Sequence, residues 1–264
     1  MTARIRETFD RAECTGQLCV QSLDGRQEVA LDAGRPAVSA SVFKVSVALE
    51  AETQFADGRL DPRQRVTLPA ADRTPGNVGF SLFRDDVEAS LRDLVVAMLT
   101  ISDNAATDAL LGRLGVDAVN ASSARLGLTG TVITADLRTS INSIGQAAGF
   151  AGWDAMWAWN ERPHSTDEED RVLRRLMAAD ALVPECTTRT TPRDMATLLR
   201  LIWTDEAGPP PACRRVRELM GQQLTKHRLA ASFPPPARVY AKSGSLVGAV
   251  RNEIGVIEYP DGPG

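Results

Sequence analysis

Apolar residues recur at helical spacing in several stretches of the chain and alternate at strand spacing in fewer. Residues 3 to 12 predict a short amphipathic helix. Gly16 to Val20 and Glu28 to Leu31, parted by Asp24-Gly25, predict a strand–hairpin–strand. The run AVSASVFKVSVALEAETQF predicts a helix closed by Asp57-Gly58, with Val45, Leu49 and Phe55 on one side. Val66 to Leu68 reads as a short strand and Thr74-Pro75-Gly76-Asn77 as a turn. LRDLVVAML is apolar enough for a buried helix, running from about Ser90 to Leu99.

AATDALLGRLG starts another helix, with Asp103 as its natural N-cap. Residues 131 to 188 give the weakest pattern. Phe150, Trp153, Met156 and Trp157 form a stripe, either a helix face packed inward or an aromatic lid or substrate wall. Ser165 with Glu168, and Thr166 with Glu169, are overlapping capping boxes ahead of RVLRRLMAADAL. Thr191-Pro192 caps DMATLLRLIW. The proline clusters at 209–211 and 234–236 read as stiff turns. Arg238 to Ala241 and Val247 to Ile257 alternate as antiparallel strands flanking Lys242 to Ser245, and Tyr259 to Gly262 reads as a hairpin turn.

At 264 residues the chain can bury a large core. A net charge of −4 and no basic block argue against nucleic acid. Cys14, Cys19, Cys186 and Cys213 lack metal-ligand spacing and there are only two histidines, His164 and His227, so reduced, mostly buried thiols and no metal are expected. No organic cofactor is implied. The N-terminus is charged, without an apolar signal region, and no stretch reaches membrane-spanning length; the expectation is a cytoplasmic protein with no membrane partner.

Of thirty Lys plus Arg, lysine occurs only as Lys44, Lys226 and Lys242. Arginine cannot give up its proton in a protein and lysine can, which marks these lysines as candidates for a titratable amine. Ser41 and Lys44, at i and i+3 on a helix start, put an amine near a hydroxyl that is nucleophilic only once deprotonated. On its own the pair also fits an N-cap serine and a surface lysine. Ser102-Asp103-Asn104 lies on an inter-helix turn, where Ser and Asn are also common for turn chemistry alone. Lys242-Ser243-Gly244 completes a third motif.

S-x-x-K, S-D-N and K-[ST]-G in this order resemble the penicillin-recognising serine enzymes, most closely class A β-lactamases. TPGNVGFSLF, MLTISDNAATDALLGRLG and TTPRDMATLL are similar to segments of that family, over residues 15 to 130 and 187 to 260. The resemblance implies an α/β fold: an antiparallel sheet flanked by helices, near 1–58 and 187–264, plus an all-helical lobe near 59–186. It implies Ser41 as nucleophile, Lys44 as proton acceptor and Ser102 as relay. Lys242 would hold Ser102 and a substrate carboxylate. Asn104 and Ser243 would bind substrate, as would Ser245, and the backbone N–H groups of Ser41 and Ser245 would form the oxyanion hole.

Two departures stand out. The family's R-x-E-x-x-x-N glutamate, which activates the deacylating water, has no counterpart in Asp136 to Asn142, although Arg138 and Asn142 are present. Glu161, Glu168 and Glu169 are the carboxylates left as substitutes, in a segment longer than the family's. The family also continues beyond Tyr259–Gly262 with a strand and a long helix. Their lack would leave strand 249–259 as an open edge through which self-association is expected. The resemblance implies a small-molecule substrate, a β-lactam, ester or amide. The chemistry implied is β-lactam or similar amide hydrolysis with slow deacylation. A cytosolic esterase, amidase or transacylase is the alternative, and a non-turnover acyl-trapping or sensing protein is another.

Overall fold

The computed structural model describes residues 2–247 and 249–260. Helix α1 (Thr2–Arg11) leads into the hairpin β1 (Leu18–Gln21) and β2 (Glu28–Leu31), paired in register from Leu18 opposite Leu31 to Gln21 opposite Glu28. A short strand β3 (Ala37–Val38) and a 3₁₀ turn (Ala40–Phe43) precede α2 (Lys44–Ala56). Strands β4 (Arg65–Leu68) and β5 (Val87–Ser90) pair with each other, and the latter had no sequence signal. Ser90 then caps α3 (Leu91–Thr100), accepting from the Asp93 N–H.

Helices α4 (Asn104–Leu114) and α5 (Val116–Arg125) follow. Next come α6 (Leu137–Ala147), α7 (Trp153–Asn160) and α8 (Thr166–Met177). Strand β6 (Arg189–Thr190) pairs with β3, and Thr191 caps α9 (Pro192–Trp203) through the Asp194 N–H. The 209–211 prolines, expected as a turn, instead open α10 (Pro210–Gly221), because proline's fixed φ suits a first helical turn whose N–H groups are unpaired anyway. After the short α11 (Leu229–Ser232) come β7 (Arg238–Leu246) and β8 (Val250–Glu258).

Helix α2 is the hub. Ten of its thirteen residues are buried, Lys44 among them, and it packs against α3, α4, α5 and α10. One apolar cluster runs from Val42 and Phe43 through α3, α4 and α9 to α10 and Val256 of β8. Full burial of a leucine such as Leu94 or Leu198 contributes roughly 2–3 kcal/mol by area. Helices α6 to α8 enclose a second, smaller cluster.

Antiparallel pairing holds throughout, but in two-stranded pieces: β1–β2, β3–β6, β4–β5 and β7–β8. Helix α9 packs on both β1 and β8, which do not pair with each other, so each keeps an unpaired edge among the described residues. The K-S-G motif, expected between strands, lies inside β7, and the reversal comes at Val247 and Ala249. A single capping box forms, Ser165 with Glu168; Thr166 is already helical. Phe150 lies outside α7, and of the stripe only Met156 is buried. All four thiols are free, but only Cys213 is buried and Cys14 and Cys186 are exposed, contrary to the expectation of mostly buried cysteines. The proposed turn at Tyr259 to Gly262 extends outside the described residues. No helix among the described residues is long and apolar enough to cross a membrane.

Candidate active site

Three elements bring the motifs together. Ser41 sits in the 3₁₀ turn ahead of α2, and Lys44 is the first residue of that helix. Ser102 lies between α3 and α4 with φ of +65°, a left-handed conformation that a non-glycine residue holds only under constraint. Ala40, beside the candidate nucleophile, is likewise at φ +46°. The constraint at Ser102 comes from Asp103, which caps α4 through Ala106 N–H at 3.0 Å and accepts from Phe80 N–H at 2.6 Å. The turn thus has no room to relax.

The Ser102 hydroxyl is where the two lysines meet. Lys44 Nζ lies 3.3 Å and Lys242 Nζ 3.0 Å from Ser102 Oγ. Lys44 also donates to Ser102 O at 2.7 Å and to Asn104 Oδ1 at 2.8 Å, while Asn104 Nδ2 donates to Pro75 O at 2.9 Å. Lys242 donates in addition to Ser243 O at 2.8 Å. All three hydrogen bonds of Lys44 reach the 102–104 turn, and none goes to Ser41, whose hydroxyl has no protein partner among the described residues. The expected pairing of Ser41 with Lys44 is therefore replaced, in this state, by Lys44 with Ser102 and Asn104. Catalytic hydrogen bonds commonly tighten only once substrate is bound.

Gly244 explains how β7 reaches Ser41. A Cβ there would lie 3.0 Å from Ser41 N and 3.2 Å from both Ala40 Cβ and Ser39 O. Only a residue without a side chain lets the strand run this close to the turn. Ser245 is the next residue and is exposed, Ser243 is half-buried, and Ser41 is half-buried. Asn252 on β8 fixes the approach, donating from Nδ2 to Val38 O at 2.7 Å and Ser39 O at 3.0 Å.

Both lysines are buried completely. Burial, reinforced by the charge of Lys242, holds the Lys44 amine well below the usual lysine range, against the opposing pull of Asp103 and Asp108. Burial also lowers Lys242 to about 7, with Glu253 pulling upward and Arg228 adding to the depression. Lowered proton affinity leaves more of an amine uncharged than in an ordinary lysine, and an uncharged amine can accept a proton.

Several contributors escaped sequence reasoning. Arg228 donates to Gly244 O at 3.0 Å and to Ser245 Oγ at 2.8 Å, placing a guanidinium along the strand. Gln223 Oε1 accepts from Ser243 N–H at 2.7 Å, and Thr225 Oγ1 is 3.3 Å from Ser243 Oγ. Glu253 accepts from the Leu229 N–H. Their one sequence signal is polar residues inside a strand, Asn252 and Glu253, where apolar ones would be expected.

The carboxylates left open as substitutes for the missing glutamate lie elsewhere. Glu161 accepts from Trp157 Nε1 at 3.1 Å, Glu168 is tied up in the capping box, and Glu169 faces His164; all three are exposed. Arg138 and Asn142 are on α6, where Asn142 Oδ1 accepts from Trp153 N–H at 3.2 Å. Asp108 anchors the start of α6 through Leu137 N–H at 2.8 Å and Arg138 N–H at 2.9 Å. Thr74 Oγ1 donates to the same carboxylate at 2.6 Å, so Asp108 is held by three donors.

A nucleophile candidate beside two buried lysines that share one hydroxyl defines an active-site serine hydrolase fold of the penicillin-recognising type. The chain belongs to the beta-lactamase enzyme family, whose profile matches residues 1–264. It is 27% identical over 271 residues to the beta-lactamase regulatory protein BlaB of Streptomyces cacaoi, covering 98% of this chain and 84% of that protein. Among solved structures, the beta-lactamase of Sphaerobacter thermophilus DSM 20745 superposes with a TM-score of 0.75 at 23% identity, over 98% of this chain and 85% of that one. PBP-A superposes at 0.76 with 21% identity, over 99% and 82%. At such identities the two superpositions speak for the fold.

Proposed function

We propose that this protein attacks and opens a β-lactam or similar activated amide, forming an acyl-enzyme at Ser41 that deacylates slowly. The observation that carries the reading is Ser102 Oγ held between two buried amines of lowered proton affinity, next to a strand touching the Ser41 turn. A neutral Lys44 has two N–H bonds, which suit Ser102 O and Asn104 Oδ1; its lone pair then faces Ser102 Oγ and must turn to the Ser41 proton when substrate binds. Ser41 Oγ then bonds to the amide carbon. The oxyanion is received by the N–H groups of Ser41 and Ser245, and such a donor pair contributes several kcal/mol. Ser102 passes a proton to the leaving nitrogen as the C–N bond breaks, and Lys242 holds Ser102 and the substrate's carboxylate. Asn104 and Ser243 bind the remaining polar groups of the substrate.

Deacylation needs a base aimed at water. Among the described residues, the hydrogen bonds of Lys44, Ser102 and Asn104 include no carboxylate, which supports a long-lived adduct. That same observation, with a relative named as a regulatory protein, favours a second reading in which the adduct itself is the signal. Incubation with penicillin G followed by intact mass separates the outcomes. A persistent adduct that is lost in Ser41→Ala supports both readings, and their common step is refuted by a wild-type chain that stays unmodified and turns nothing over. Fast hydrolysis without adduct would refute slow deacylation alone. Among the described residues β8 pairs with β7 alone, which makes a concentration-dependent dimer an accompanying expectation, tested by sedimentation.

A further inference from the structure

Helices α6 to α8 have a small core of their own and meet the main one through Leu137 at the start of α6. Their cluster is built on Ile144, Ala148, Met156 and Ala181, with Phe150, Trp153, Val172 and Leu176 packed at its rim. Two residues from outside the segment join it: Leu246 and Val247. These follow Ser245 directly and lead into the reversal between β7 and β8.

We infer that segment 137–182 is a buttress for the tip of the β7–β8 hairpin, with Trp153, Met156 and Leu246 as positioning residues that fix the Ser245 N–H relative to Ser41. The inference rests on the reading of Ser41 as nucleophile. A two-stranded hairpin is marginal in isolation and takes its rigidity from what it packs against. Up to Ser245 and Asn252 the hairpin is tied by polar contacts, from Arg228 to Gly244 O and Ser245 Oγ, and from Asn252 to Val38 O and Ser39 O. Beyond that point its apolar support is the cluster holding Leu246 and Val247.

The buttress is itself lightly held. Helices α6 and α7 approach so closely that a Cβ on Gly145 would lie 2.3 Å from the Gly152 carbonyl carbon, and Asn142 fastens Trp153 N–H. Helix α8, by contrast, has no buried residue, and Leu173 and Met177 are 52% and 53% exposed. A unit with so few buried contacts opens locally at lower cost than the main core. Removing one large side chain from it therefore loosens the hairpin tip without unfolding the molecule.

An oxyanion donor displaced by part of an ångström loses much of its effect on the transition state. Trp153→Ala and Met156→Ala are expected to slow Ser41 acylation by penicillin G by about tenfold. The dissociation constant of the encounter complex, the final fraction acylated and the pH profile should stay as in the wild type, because Lys44 and Lys242 are untouched. Trp153→Phe, which keeps an aromatic ring in place, should restore most of the rate. A purely structural role would lower the fraction acylated and leave the rate of the folded fraction alone.

The second measurement needs no substrate: hydrogen exchange of the amides at 245–247 should accelerate in Trp153→Ala. Given a wild-type chain that does acylate, an unchanged acylation rate in Trp153→Ala and Met156→Ala, or unchanged exchange at 245–247 in Trp153→Ala, overturns the buttress. A wild-type chain that takes no adduct overturns instead the assignment of Ser41, and with it the kinetic half of the inference.

Discussion

Replacing Gly244 by alanine probes the contact on which the site's geometry depends. The added Cβ would meet Ser41 N at 3.0 Å, Ala40 Cβ at 3.2 Å and Ser39 O at 3.2 Å. Two of these three atoms belong to the backbone of a constrained turn, and the third is fixed to it, with Ala40 at φ +46° and Ser39 buried. Ordinary van der Waals contact needs a few tenths of an ångström more, and the turn cannot rotate a side chain away to provide it. Strand β7 must retreat, taking the Ser245 N–H from Ser41. A full ångström of misplacement costs about a hundredfold and loss of an entire oxyanion donor about 3–4 kcal/mol, so a retreat of this size should cost roughly tenfold to fiftyfold in acylation. The destabilisation should be about 1–3 kcal/mol, the range for overpacking. The assay is stopped-flow acylation by a chromogenic cephalosporin alongside urea denaturation. Acylation in Gly244→Ala within twofold of the wild type would refute the idea that β7 approaches Ser41 as tightly as the contact distances require.

Other predictions address the amines, the shared hydroxyl and the core. Lys242 binds its proton to about pH 7 when folded and to about 10.5 when unfolded, so between these values the unfolded chain carries the extra proton and stability rises with pH. Urea titrations from pH 7.5 to 8.5 should show Lys242→Met lowering that slope, by at most about 1.4 kcal/mol per pH unit, and an unchanged slope would count against a depressed lysine. Ser102→Ala removes the hydroxyl on which both amines converge and should slow acylation by at least about a hundredfold, as for loss of a positioned proton-transfer group; stopped-flow kinetics decide it. Leu198→Ala, fully buried in α9, should cost about 2–5 kcal/mol in chemical denaturation without altering the acylation rate of the folded fraction.

Where the sequence was legible, local chemistry and local spacing were enough. The caps at Asp103, Ser165 and Thr191 lie within three residues of the N–H groups they satisfy, and the three motifs named the residues that gather at the site. What stayed hidden depends on distant partners. Lys44 selects Ser102 and Asn104, nearly sixty positions away, over a serine one turn away, because the 102–104 turn supplies a rigid carbonyl and an amide oxygen. Asn252 reaches Val38 and Ser39 across almost the whole chain. Prolines 210 and 211 were misleading because the same fixed φ serves a turn and a helix start. Segment 137–182 was hard to read because α7 and α8 bury few residues, leaving a faint apolar stripe where a core helix would show a full one.

The proposed activity depends on the chemistry of one hydroxyl. Peptide mapping by tandem mass spectrometry after incubation with penicillin G tests it most directly. The predicted result is an adduct of the intact drug's mass on Ser41, still present after hours and absent from Ser41→Ala. An adduct on another residue, or neither adduct nor hydrolysis in a chain shown to be folded, would contradict it.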